Sequence, residues 1–187
     1  MLMKFLPPLR PGILNGWLML AVYFTGLILS VRSFPPAKRG KLFLEPHYPR
    51  GHSRWLILMI GRVCAIVFIS LTLFTTLEFG TVLSYVGIVL YLAGFLVVML
   101  ALHDYKEASE DDVVTSGLYR YSRNPQWIGL VGVFLGTALV VGAWFLLILI
   151  AILVAAYHSQ ILLEEEICKS AYGSRYLEYM QGVPRYF

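Results

Sequence analysis

Two polar clusters in this chain carry residue types that could do chemistry. One is the run Glu164-Glu165-Glu166. Three adjacent carboxylates repel one another, and near a helix C-terminus they also oppose the helix dipole, so their placement is costly unless a cation is brought to them. A solvated helix end is the alternative reading. If the helix continues through them, Glu165 shares a face with His158, Ile161 and Cys168, and Glu164 aligns with Gln160, so one carboxylate can point into a bundle. The second cluster runs from Val114 to Gly129 and holds Gly117, the aromatics Tyr119, Tyr121 and Trp127, the cations Arg120 and Arg123, and the corner Asn124-Pro125. Proline presets its own φ and pushes the preceding residue away from helix, so this corner marks a turn or a helix start. Interfacial anchoring competes as an explanation, because Tyr, Trp and Arg gather at lipid headgroups anyway.

Other polar residues carry less. His158 reads as a helix–helix hydrogen bond, with a base as the alternative. His103 beside Asp104 offers two adjacent ligands and no site, so no metal is expected. Arg62 lies about two turns inside an apolar run, where a charge is costly unless paired or snorkelling to the surface, and snorkelling is the expectation.

The elements that must position these clusters are membrane helices. The chain has 187 residues, 58% hydrophobic and 14% charged, with mean hydropathy +0.71. A soluble domain needs close to a quarter of its residues charged. About 20 apolar residues cross ~30 Å of hydrocarbon as a helix, and that length predicts about five spans, near 13–33, 55–77, 81–102, 126–142 and 143–163. The first run is too long for a signal-peptide core and no small-x-small cleavage pattern follows it. The last two runs form one apolar stretch broken at Gly142-Ala143, which predicts a helical hairpin in preference to one very long helix. The runs are continuous where barrel strands would alternate. The fold class expected is therefore all-α integral membrane, a single domain over 1–187, with three N-terminal spans and their loops in 1–112 and the hairpin and tail in 113–187.

Charge sets the orientation. The 32–54 connection carries Arg32, Lys38, Arg39, Lys41, Arg50 and Arg54 against Glu45 alone, whereas the 78–80 connection has Glu78 and no cation. Cationic loops stay in the cytoplasm, so the N-terminus is expected outside and the C-terminus inside. The 103–125 segment, with Glu107, Glu110, Asp111 and Asp112 ahead of Arg120 and Arg123, then faces the cytoplasm together with the tail that holds Lys169, Arg175 and Arg185. The net charge of +4 is read as these flanks, and no nucleic-acid partner is expected. Cys64 and Cys168 need not pair.

Taken together, Gly117-Leu-Tyr119, Arg123-Asn124-Pro125-Gln126-Trp127, the hairpin, Glu164-Glu165, Tyr172-Gly173, Tyr176, Tyr179 and Pro184-Arg185 resemble the isoprenylcysteine carboxyl methyltransferase and phospholipid methyltransferase group of integral membrane enzymes. The resemblance covers roughly 113–187; residues 1–112 match only as membrane spans. It departs at Asn124, where many members carry His, at Trp127, where many carry Tyr, and at Gln160, where carboxyl-methylating members carry Arg one turn before the glutamates. What the resemblance implies is an S-adenosylmethionine site capped by cytoplasmic loops and a lipophilic, isoprenoid- or phospholipid-like acceptor. Cofactor contacts are expected from Tyr119, Arg123, Asn124, Pro125, Trp127, Gly129, Glu164 and Glu165, with catalytic candidates Glu165, Arg123 and Arg185. Glu164 or Glu165 would take the ammonium or ribose hydroxyls, Arg123 and Asn124 the carboxylate, and Tyr119 or Trp127 the adenine or methionine stem. Arg185 and Gln160 are placed toward the acceptor. Rival functions are a sterol-reductase-like NADPH enzyme, against which stands the lack of a Gly-x-Gly-x-x-Gly loop, and a non-enzymatic membrane protein.

Overall fold

A computed structural model describes residues 4–36, 38–39, 52–109 and 112–187. Six α-helices follow one another among the described residues: α1 (Trp17–Arg32), α2 (His52–Phe74), α3 (Val82–Glu107), α4 (Pro125–Val140), α5 (Trp144–Tyr172) and α6 (Ser174–Gly182). A short 3₁₀ turn, Gly117–Arg120, precedes α4. No strand forms among the described residues, only isolated bridges.

The tightest pairing is between α3 and α4, and glycine makes it possible. A Cβ on Gly94 would lie 2.5 Å from the carbonyl oxygen of Gly129, and one on Gly129 would lie 2.7 Å from that of Gly94. The two backbones therefore touch, as small residues allow in membrane helices. Helix α2 packs on α5 through Phe68, Leu146 and Leu153, all essentially buried, and α1 leans on α3 and α2. Outward faces stay apolar: Val63, Ile66, Val89, Leu92 and Leu96 are all more than half exposed. Apolar patches of that extent suit lipid and not water.

Successive helices alternate in direction. Residues 4–16 join the ends of α2, α4 and α5 at one end of the bundle, where Lys4 exchanges backbone hydrogen bonds with Gly142 and Trp144 and the Leu77 N–H donates to Leu14. At the other end, the Lys38 ammonium donates to the carbonyls of Lys106 (2.6 Å) and Ala108 over the end of α3, and Arg39 donates to those of Arg32 and Phe34 over the end of α1. Cations suit these positions because helix C-termini expose unpaired carbonyls. The start of α4 and the end of α5 lie at this same end. Lys41, Glu45, Arg50, Glu110 and Asp111 lie outside the described residues, as does the side chain of Arg54.

Several sequence expectations shift. Helices α2, α3 and α5 are long and apolar enough to cross a membrane, whereas α1 and α4 have 16 residues each, about 24 Å at 1.5 Å per residue. The 13–33 span loses its start because buried Asn15 is tied to the Arg10 carbonyl at 2.6 Å, in a segment bridged to residues 75–76. The hairpin forms as expected: α4 stops at Val140, Gly142 adopts φ +65, and α5 begins at Trp144. A single long helix is thereby excluded. Helix α5, however, runs nine residues beyond Leu163, so the glutamates sit within it and the dipole argument for their cost does not apply. Lys38, expected as a loop cation, is 6% exposed. Arg62 faces outward.

The seam yields a direct expectation. Gly94→Val forces a side chain into the α4 backbone and should cost at least ~2 kcal/mol, read as a lowered thermal unfolding midpoint in detergent. Gly182→Ala, with nothing within 4 Å of the added methyl, should leave the midpoint unchanged.

Candidate functional site

Extension of α5 carries Glu164, Glu165 and Glu166 around the helix onto three different environments: half-buried, buried and exposed. Glu165 is 3% exposed. A charge so placed needs partners, and it has two. Arg185 grips it with a bidentate fork, Nε to Oε1 at 2.9 Å and Nη2 to Oε2 at 2.8 Å. Arg123 Nη2 lies 3.2 Å from Oε1 on a side chain only 8% exposed. Hydrogen bonding to Glu165 raises the Arg185 pKa further and keeps that guanidinium charged.

The C-terminal tail is tied to the corner before α4 by its backbone as well. The Pro184 carbonyl accepts from the Arg123 N–H at 3.0 Å, and the Arg185 carbonyl accepts from Ser122 Oγ at 3.1 Å and Asn124 Nδ2 at 3.2 Å. Tyr186 reaches back to α5, its hydroxyl 2.7 Å from His158 Nδ1. The hydrogen bond expected of His158 is thus made, to the tail and not to a neighbouring helix. The tail, the corner and the acidic turn of α5 form one hydrogen-bonded unit.

Tyr119 is held from two sides. Its carbonyl accepts from the Tyr179 hydroxyl on α6 at 2.7 Å, and the neighbouring Leu118 N–H donates to Asp104 Oδ2 at the end of α3 at 2.8 Å. Gly117 is required there, since a side chain would collide with the Asp104 carboxylate. Burial raises the Tyr119 pKa and pushes that of Tyr179 up to about 12, so both phenols stay protonated donors.

Donors remain unused. Arg123 Nε and Nη1 are buried without hydrogen bonds. The Trp127 indole N–H is directed at the Glu164 carboxylate, to which Gln160 Nε2 also donates, to Oε1 at 3.0 Å. Trp127 also packs on Tyr157, ring centroids 4.5 Å apart. Buried donors normally find acceptors, and the two Arg123 nitrogens have none within the described protein. Next to this cluster a cleft of about 200 Å³ opens between α1 and α4 over α3, walled by Tyr23, Leu27, Val98 and Leu130, with Gln126 and Trp127 at its polar end.

Of the residues singled out from the sequence, Arg123, Asn124, Glu165 and Arg185 come together directly, and Trp127, Glu164 and Gln160 adjoin them. Tyr119 lies beneath the same loop. Pro125 is the buried first residue of α4, and Gly129 sits in the α3 seam against Gly94 and Val98, so these two do not join the cluster. Tyr157 and Tyr186 were not anticipated, and Ser122, Asp104 and Tyr179, which lie in segments named from the sequence, were given no place in the site. Only the Tyr-rich tail gave a signal, because the other contacts join residues distant in sequence. Among the described residues no group of His, Cys, Asp and Glu could hold a metal.

The solved structure of the eukaryotic intramembrane Ras methyltransferase, isoprenylcysteine carboxyl methyltransferase, matches this fold with a TM-score of 0.53 at 19% identity, over 90% of this chain and 65% of that one. The chain thus spans just under two thirds of that neighbour's length. No curated protein matches the sequence. The family model of the phospholipid methyltransferases matches residues 75–175, more than half of the chain, and the protein belongs to that family.

The ion-pair geometry makes its own prediction. Glu165→Gln strands the buried Arg123 and should destabilise the protein by about 3–5 kcal/mol. Glu166→Gln, on the exposed face, should stay within about 0.5 kcal/mol. Chemical denaturation of the two variants side by side tests the contrast.

Proposed function

We propose that this protein transfers a methyl group from S-adenosylmethionine to a lipophilic acceptor at the cytoplasmic face of the membrane. The observation that carries the reading is the buried Arg123–Glu165–Arg185 cluster, in which two Arg123 nitrogens have no partner, with an apolar cleft at its edge. The donor set fits the cofactor's chemistry. Arg123, through its free nitrogens, and Asn124, through its second amide N–H, suit a carboxylate. Glu164 and Glu165 supply negative charge for the cofactor's cations, and Tyr119 or Trp127 an aromatic plane for the adenine or methionine stem. When bound, the cofactor supplies an electrophilic methyl group. The protein's part is then to orient the reactants and exclude water.

The acceptor's hydrocarbon tail belongs in the cleft between α1 and α4. It is lined mainly by apolar side chains and reaches Gln126 and Trp127. Each buried methylene contributes about 0.8 kcal/mol, so the tail supplies most of the affinity and the head only positions the nucleophile. With Gln160 where carboxyl-methylating members carry arginine, the site favours a neutral nucleophile, an amine, thiol or hydroxyl, over a carboxylate.

We read five passes with the basic loop, the corner and the tail inside; the alternation of helix ends and the cations capping α1 and α3 support it. A cysteine placed at exposed Gly80 should react with an impermeant reagent outside the cell, and one at Phe187, 93% exposed, should not. The reverse pattern would invert the orientation.

Equilibrium binding to the purified protein tests the cofactor: S-adenosylmethionine should bind and NADPH should not. Asn124→Ala should weaken that binding by about 1–3 kcal/mol. Tight NADPH binding would sink the reading in favour of a reductase.

A further inference from the structure

Of the eight side chains that line the cleft between α1 and α4, none is acidic or basic. Val98 and Leu102 of α3, each 4% exposed, form its floor, and along α1 it follows Tyr23, Leu27 and Val31, one helix face over two turns or about 12 Å. At about 200 Å³ it is smaller than the roughly 300–1,000 Å³ of a pocket for a drug-sized ligand, so it holds one slender chain. Three of its side chains carry polar atoms. The Trp127 N–H is directed at Glu164, whereas the Gln126 amide and the Tyr23 hydroxyl bond to no other described residue. Tyr23 belongs to α1 and Gln126 to the first turn of α4, so these two groups stand on facing walls. Polar groups among hydrocarbon are costly unless bonded, and a few of them in an apolar pocket orient its ligand.

We propose that Gln126 and Tyr23 are the specificity residues of the acceptor site, and that the acceptor is an uncharged, single-chain lipid with a hydroxyl head. This rests on the methyltransferase reading above and narrows its acceptor. An amide and a phenol together offer donors and acceptors, the complement of a hydroxyl, which is both; a thiol is weak in either role. A carboxylate, a phosphate or an ammonium would bring its charge among uncharged walls, at a far greater cost than a bonded hydroxyl. In the transfer the sulfur–methyl bond breaks with its electron pair left on sulfur, the oxygen–methyl bond forms, and the hydroxyl proton passes to interfacial water. A phenolic hydroxyl, with a pKa near 10, gives up that proton more readily than an alcohol. The methyl ether so formed can accept a hydrogen bond and cannot donate one. The residues that select the acceptor therefore hold the product more weakly and let it leave.

Equilibrium binding to the full chain in lipid nanodiscs, with protein-free nanodiscs as the baseline, tests this with nonylphenol, its methyl ether, nonylbenzoic acid and nonylbenzylamine. The wild type should bind the phenol more tightly than the other three. Gln126→Leu and Tyr23→Phe should each weaken phenol binding by about three- to tenfold and change ether binding by no more than about twofold. Tyr85→Phe, on an exposed face of α3, should change neither. Because the readout is a ratio between ligands of one shape on the same sample, partial misfolding of a variant does not mimic it. A wild type that prefers the acid or the amine, or a phenol-to-ether ratio unmoved in either variant, overturns this inference, and binding of S-adenosylmethionine by the same sample leaves the methyltransferase reading standing. Failure to bind S-adenosylmethionine overturns that reading whichever lipid the cleft prefers.

Discussion

The carboxylate of Glu165 has been taken almost wholly out of solvent, and much of the functional end of the molecule is arranged around neutralising it. Its two cations come from sites far apart in sequence, Arg123 just before α4 and Arg185 at the tail. Drawing both to one carboxylate fixes the path of the tail, whose carbonyls then meet Ser122, Arg123 and Asn124. A buried ion pair adds little net stability compared with a well-packed apolar replacement. Its consequence here is geometric, since a forked arginine admits few arrangements.

That geometry depends in turn on the α3–α4 seam. Backbone contact between Gly94 and Gly129 sets the position of α4, and Asp104 at the end of α3 holds the turn that carries Tyr119. Because α4 lies so close to α3 while α1 leans on α3 and α2, a gap is left between α1 and α4, and this is the cleft. The packing that anchors the polar cluster thereby also creates the apolar space beside it.

The two ends of the bundle differ in the same spirit. One is closed by backbone bridges from residues 4–16, with Lys4 and Glu78 weakly paired at 3.8 Å. At the other, Lys38 and Arg39 cap helix ends and the arginine–glutamate cluster is assembled. Charge is concentrated where helix termini can use it, and the middle of the bundle stays apolar enough for lipid.

Much of this was legible before any coordinates. Hydrophobic run lengths located the helices because a membrane helix must satisfy its backbone internally, a local requirement. The break at Gly142, the Asn124-Pro125 corner and the facing of Glu165 into the bundle follow from backbone geometry and helical period, which are also local. The resemblance of 113–187 to a methyltransferase group agrees with the family to which the chain belongs. What the sequence could not contain was the pairing of charges. It offered three glutamates and several arginines, and only the closure of the tail onto the corner decided that Arg123 and Arg185 both meet Glu165. Likewise the packing of Gly129 against Gly94 was not visible in the sequence, and Lys38 looked like a loop flank and proved to be a cap. These outcomes depend on which distant segments approach one another, and packing between helices settles that while residue type and spacing do not.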